Sequence, residues 1–190
     1  MKSRAAWWDR VATFGAVDLL FLDESGFNLG MTRRYGWAPS DQRAIGTAPH
    51  HAGPNLSVVA CLGTRGVVAP WMEQESMNGE RFLAYVRCVL APALAPGDVV
   101  VMDNVRFHKV AGVKEAIEAR GASVLYLPPY SPDFSPIENA WSKIKSIIRT
   151  LAPRALPAFF RAMRHAFSSI ERADILGWFG HCGYEHNINR

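Results

Sequence analysis

Three acidic side chains stand where they could do chemistry together. Asp103 follows the apolar run Val99–Met102 in G-D-V-V-V-M-D-N, and Glu138 lies in S-P-I-E-N-A-W-S-K-I-K, with 34 residues between them. Asp23 ends an upstream apolar run, V-D-L-L-F-L-D, from Val17. Carboxylates brought together repel one another, and burying each costs free energy unless a cation compensates. Two Mg²⁺ or Mn²⁺ ions, roughly 3.5–4 Å apart, would neutralise them, activate water and stabilise a leaving oxygen in phosphoryl transfer. Each acid also has an ordinary structural alternative. Ser135-Pro136-Ile137-Glu138 reads as a capping box with proline at the first helical position, and metal ligation competes with that cap. Asp103 reads as a turn residue helped by Asn104. Asp23 reads likewise, with Glu24 or Asp18 as rivals for its role.

The surrounding elements must bring these acids to one place. Val17–Asp23 reads as a buried strand that Asp23 terminates. Leu56–Leu62 and Val67–Met72 read as a hairpin turning at Gly63-Thr64-Arg65-Gly66. Residues 24–53 read mostly as loop, with a short hairpin around Tyr35–Ala38. Phe82, Leu83, Val86, Val89 and Leu90 have helical spacing between Glu80 and Leu90, with Pro92 and Pro96 ending the helix. Strand Val99–Asp103, helix Val110–Arg120 with Gly121 as its stop, and strand Ser123–Leu127 make a unit that is almost always parallel and right-handed. A rigid Pro128–Pro132 loop then leads into a helix from Pro136 to about Leu151. Its apolar face is Ile137, Ala140, Trp141, Ile144 and Ile148. Leu156–Glu171 reads as a last amphipathic helix, with Phe159, Phe160, Met163, Phe167 and Ile170. The expected organisation is one domain over residues 1–190, with a lead-in at 1–15 and a short mixed tail at 177–190. A hairpin followed by a parallel unit predicts an α/β fold with a mixed central sheet flanked by helices. Ligands bind off the carboxyl ends of strands in such sheets, so all three acids are expected at one edge.

Bulk properties narrow the classes. Hydrophobic residues make up 49% and charged residues 20% of the 190-residue chain, the balance of a soluble globular protein. The apolar runs are too short for a membrane span, and Ala5–Trp8 is too short for a signal peptide, so a cytoplasmic protein with no membrane partner is expected. Three scattered cysteines in no C-x-x-C pattern argue against a disulfide framework or a zinc ribbon. The net charge of +4 and the 16 arginines against 5 lysines lean toward a polyanionic partner, because guanidinium groups bind phosphate bidentately. A GC-rich genome explains the arginine bias equally well. No phosphate-binding glycine motif and no nucleophile elbow occurs.

The blocks F-L-D-E-S-G-F around Asp23, V-M-D-N-V-R-F-H-K around Asp103 and L-P-P-Y-S-P-D-F-S-P-I-E-N-A-W-S-K-I-K around Glu138 resemble the three catalytic blocks of mariner-like DDE transposases, closest to the bacterial insertion-sequence branch. The 34-residue gap matches that branch. R-R-Y-G-W-A-P-S-D-Q-R and H-C-G-Y resemble further blocks, so the resemblance spans nearly the whole chain in order. It implies a ribonuclease-H-like fold and a two-metal Mg²⁺ or Mn²⁺ site on Asp23, Asp103 and Glu138. It implies cleavage and strand transfer of double-stranded DNA, at transposon ends and target, by a homodimer in a synaptic complex, in a bacterial cytoplasm near the nucleoid. Three departures stand out. Only 22 residues precede Asp23, where the family carries a helix-turn-helix region that enters the major groove, so the chain resembles a catalytic half whose helix-turn-helix partner would be a separate chain. Ser40-Asp41 replace a basic residue and glycine, and Arg106-Phe107 replace small polar residues. The alternatives are an inert or partner-dependent half of a split or decayed transposase, and a ribonuclease-H-like nuclease.

Other side chains are candidates for contacting DNA. Ser142, Lys145 and Arg149 follow Glu138 at helical spacing, where they would carry the phosphate backbone past the acids or form an ordinary solvated face. Arg33, Arg34, Arg43, Arg106 and Lys109 are similar. His108 reads equally as a group orienting a phosphate or water and as a loop histidine with a backbone partner. Trp141 belongs to the core by periodicity, not to base stacking. His50-His51 and the His181, Cys182, His186 cluster fit no common zinc spacing.

Overall fold

In the computed structural model, which describes residues 2–184, the alternation of side chains along the strands decides the architecture. The strands are β1 (Leu19–Asn28), β2 (Asn55–Gly63), β3 (Gly66–Glu73), β4 (Val99–Met102) and β5 (Ser123–Tyr126). They form one mixed sheet in the order β3-β2-β1-β4-β5. Leu19, Phe21, Val58, Ala60, Val99 and Val101 face one core, while Leu20, Leu22, Val59, Cys61, Val100 and Met102 face another. A sheet buried on both faces requires helices on both, which accounts for the near-continuous apolar strands. The expected mixed sheet flanked by helices, with β4 parallel to β5, is thus found.

One face is covered by α1 (Lys2–Val11), α5 (Pro136–Leu151), α6 (Leu156–Ser168) and α7 (Arg172–His181). The other is covered by α2 (Gly79–Tyr85), which continues through a π turn (Val86–Leu90) into α3 (Ala91–Ala93), and by α4 (Val113–Glu118). Helix α5 has the predicted bounds, and Ile137, Ala140, Trp141, Ile144 and Ile148 are all buried.

Several expectations are corrected. Strand β1 does not end at Asp23 but pairs with β2 as far as Asn28. The predicted hairpin around Tyr35–Ala38 does not form; Tyr35 and Trp37 are fully exposed and have no apolar neighbours to pair them into a sheet. Pro92 does not end its helix. The π turn hands the Ala91 amide to the Val86 carbonyl, and Pro92, which has no amide to place, sits in the first turn of α3. Helix α4 starts three residues late, because Gly112 is left-handed at φ 95° behind a 3₁₀ turn, Arg106–Lys109. The last predicted helix stops at Ser168, and α7 follows it, running into the supposed tail as far as His181; its glycines and dispersed apolar residues gave no periodic signal. Phe160 lies outside the core, 46% exposed.

Both ends of the described chain fasten the loop before α5. Arg4 bonds Ser131 and Asp133 and lies 4.0 Å over the Phe134 ring. The buried Tyr184 hydroxyl donates to the Phe134 carbonyl at 2.7 Å. Tyr184→Phe leaves that carbonyl without its partner and is expected to cost about 1–3 kcal/mol, read by urea unfolding at constant m-value.

Candidate active site

The register of two parallel strands places the first two acids. Leu19, Leu20 and Phe21 pair with Val99, Val100 and Val101, an offset of 80 residues. Carried two residues further, that offset sets Asp23 level with Asp103. The β1–β4 ladder ends at Phe21 and Val101 and β4 itself ends at Met102, so no pairing joins the two acids. Strand β5 ends beside β4, and the loop Leu127–Ser135 returns Glu138 to the same edge as the third residue of α5. Asp23, Asp103 and Glu138 line one cleft of about 560 Å³, together with Asn104, Lys109 and the proline-rich loop from Pro128 to Pro132.

Of the rival roles, the capping box is not formed: Ser135 makes no side-chain cap, and only its carbonyl accepts the Glu138 amide, at 3.1 Å. Glu138 is exposed and stands near the positive end of the helix dipole, which favours its charge. Asp103 does act as a turn residue, because its Oδ1 accepts from the Val105 amide at 3.2 Å. Asp18 lies in a 3₁₀ turn before β1 and does not line the cleft.

Alternation along β1 separates Asp23 from Glu24. Asp23 shares the face of Phe21 and meets α5, where the buried Trp141 indole donates to its Oδ2 at 3.0 Å. Glu24 points to the opposite face and meets His108. There the imidazole bridges two carboxylates: Nδ1 lies 2.7 Å from Asp103 Oδ1 and Nε2 lies 3.2 Å from Glu24 Oε2.

These contacts set the charges. Burial, then repulsion from Glu24, Glu138 and Asp103, raises the Asp23 carboxyl to about 7. Burial also acts to raise Asp103, but the His108 hydrogen bond and charge, with the Val105 amide, hold it below the usual carboxylate range. Burial alone would depress His108; its bonds to Asp103 and Glu24 outweigh that and lift it to about 9.

The remaining candidates are placed as follows. His108 is 0% exposed, so it cannot touch DNA; its ring meets two carboxylates, and Nδ1 also faces the Asp103 backbone carbonyl at 3.4 Å, the kind of backbone partner expected. Lys109 is exposed at the cleft, its ammonium 5.2 Å over the Tyr126 ring. Arg34, Arg43, Arg106, Ser142 and Arg149 are exposed and do not line the cleft. Arg33 is exposed and donates to Thr150. Lys145 is half-buried over Phe27. The roles of Glu24 and Trp141 at the site escaped the sequence reading; a buried indole N–H needs an acceptor, and Trp141 lies one turn from Glu138, which was the available signal.

Among the described residues, no group of three His, Cys, Asp or Glu side chains forms a preset metal cluster. His50 and His51 contact only each other, and His186 lies outside the described residues. The oxygen donors of Asp23, Asp103 and Glu138 nevertheless suit a hard dication, and the repulsion carried by Asp23 is what a cation would relieve.

A mixed sheet with helices on both faces and acids gathered at one edge defines the ribonuclease-H-like class. The catalytic domain of Mos1 mariner transposase superposes with a TM-score of 0.67 at 11% identity, covering 99% of this chain and 89% of that one. A pre-cleavage Mos1 transpososome gives 0.79 at 15% identity, covering 99% of this chain and 60% of that one. A Mos1 mariner paired-end complex with Mn gives 0.78 at 16%, covering 99% and 59%. The chain therefore spans about 60% of the length of the transposase in those complexes. No curated protein sequence matches. Residues 18–155 match the DDE superfamily endonucleases, and the chain belongs to that family.

The raised Asp23 carboxyl predicts an inverted mutational effect. Its pKa is higher folded than unfolded, so stability is greatest below about 4 and is lost as pH rises toward 7. Asp23→Asn, which can still accept from Trp141, is expected to stabilise the metal-free protein at pH 8 by on the order of 1–3 kcal/mol. That gain is expected to shrink by pH 5. Thermal unfolding in chelator at both pH values checks it.

Proposed function

We propose that this chain is the catalytic domain of a DDE transposase, which cleaves DNA at a transposon end and joins the freed end to target DNA. The observation that carries the reading is the meeting of Asp23, Asp103 and Glu138, from β1, the end of β4 and the start of α5, in one cleft. Family membership and the resemblance of all three sequence blocks to mariner-like transposases support it.

In this reading Asp23, Asp103 and Glu138 hold two Mg²⁺ or Mn²⁺ ions. When bound, the ions supply Lewis-acid polarisation of the scissile phosphate and a water of lowered pKa. Asp103 enters the site ionised and oriented by His108. Asp23 gives up its proton to bind a cation, so affinity rises with pH through about 7. Glu138, on the first turn of a helix, closes the site from the opposite wall. Lys109 stands at the rim, where its charge attracts a phosphodiester. Arg33, Arg34, Arg43, Arg106, Ser142, Lys145 and Arg149 are proposed contacts to double-stranded DNA outside the cleft. The proposed assembly is a homodimeric synaptic complex in a bacterial cytoplasm, with DNA-end recognition supplied by a helix-turn-helix region.

A second reading, a partner-dependent half, is favoured by one observation: Glu138 is exposed and the acids are not drawn into a preset cluster. Under that reading Mn²⁺ alone gives no thermal stabilisation that depends on the three acids. For the first reading, Asp103→Asn is expected to abolish Mn²⁺-dependent nicking of transposon-end DNA while the far-UV spectrum stays unchanged. Nicking retained by that variant sinks the assignment, and preferential cleavage of an RNA–DNA hybrid would replace it with a ribonuclease-H-type activity.

A further inference from the structure

We propose that Glu24 and His108 are positioning residues for Asp103, forming a carboxylate–imidazole–carboxylate bridge that fixes which oxygen of Asp103 is offered to the cleft. The proposal rests on the metal-site reading above and deepens it.

The bridge is built from three elements. Glu24 projects from β1 on the face opposite Asp23. His108 closes the 3₁₀ turn after β4, its ring 4.5 Å from those of both Phe82 and Phe107. Asp103 lies at the β4 end. Neither Glu24 nor His108 lines the cleft; apart from the charge by which Glu24 raises Asp23, both reach it through Asp103. The contacts to the Asp103 carboxylate fall on Oδ1, which meets His108 Nδ1 at 2.7 Å and the Val105 amide at 3.2 Å and leaves Oδ2 for a ligand; Nδ1 also faces the Asp103 backbone carbonyl at 3.4 Å.

A histidine placed only for packing needs no second carboxylate. This one has Glu24 at 3.2 Å on its far nitrogen, which ties the short turn after β4 to the central strand. Since β1 also carries Asp23, one strand sets the height of both acids. Partners that orient a ligating side chain in this way are as consequential for metal affinity as many ligands.

The test is Mn²⁺ binding to the full chain, followed by the electron paramagnetic resonance of free Mn²⁺, beside thermal unfolding. His108→Leu and Glu24→Ala are expected to weaken Mn²⁺ binding roughly 10–100-fold. Glu24→Gln removes the same charge as Glu24→Ala but keeps an acceptor for the imidazole, so it is expected to recover most of the loss. Phe107→Leu, which touches the ring but neither nitrogen, is expected to lower the melting temperature and leave Mn²⁺ affinity unchanged. If His108→Leu does not fold, the Glu24 pair decides alone. Glu24→Gln binding as weakly as Glu24→Ala overturns the proposal, because Glu24 is then a ligand or a pure charge effect. Binding lost in Asp103→Asn but intact in His108→Leu and Glu24→Ala overturns the bridge alone. Binding that survives Asp103→Asn overturns the metal-site reading itself and the bridge with it.

Discussion

Four carboxylates crowd one edge of this sheet, and the local structure is arranged around their repulsion. Two charges about 4 Å apart in a partly buried setting oppose each other by roughly 4 kcal/mol. Asp23 and Glu24 are adjacent in sequence. A strand sends them to opposite faces of the sheet. The β1–β4 ladder stops at Phe21 and Val101, so Asp23 and Asp103 are not paired across the two strands. Glu138 is kept in solvent at the start of a helix, where its charge is cheapest to maintain.

What cannot be separated is given a specific hydrogen-bonding partner on its own face of the sheet. On one face, α5 brings Trp141 against Asp23 along with Glu138, so one helix serves two acids. On the other, Phe82 of α2 seals His108 between the two acids that it bridges. The two apolar cores are therefore more than stability: they set the dielectric in which the Asp23 and His108 contacts operate. The loop that aims Glu138 is the weakest link of this arrangement, being rich in proline and short of backbone partners. It is fastened by Arg4 from the first helix and by Tyr184 from beyond the last one.

Much of this was legible in the residues. The strands stood out because a sheet covered on both faces needs unbroken apolar runs. Helix α5 was readable to the residue because proline starts it and one clean apolar stripe defines it. The parallel unit of β4 and β5 then placed Asp103 and Glu138 on one edge by topology alone. The failures share a cause, which is that they depend on partners distant in sequence. E-S-G-F-N does not look like a strand, and it is one because β2 pairs with it. Helix α7 has no stripe of its own and is held by packing on Phe21 and Tyr184. His108 looked like a surface loop residue because nothing local reveals that Glu24, 84 residues away, waits for its second nitrogen.

The site that results is asymmetric. His108 and the Val105 amide hold Asp103 below the usual carboxylate range and engage one of its oxygens, whereas burial raises Asp23 to about 7 and Glu138 is exposed at the cleft. A cleft with three ionised acids would be unstable without a cation. A cleft with three neutral acids would bind none. Placing one group at each stage lets the fold survive without a cation while keeping a fixed point of attachment for one. In the proposed metal-bound state Asp23 would give up its proton and, with Asp103 and Glu138, would hold the dication. If a cation binds as proposed, the sheet contributes the part of the site that is already in place, Asp103 held by His108 and the Val105 amide.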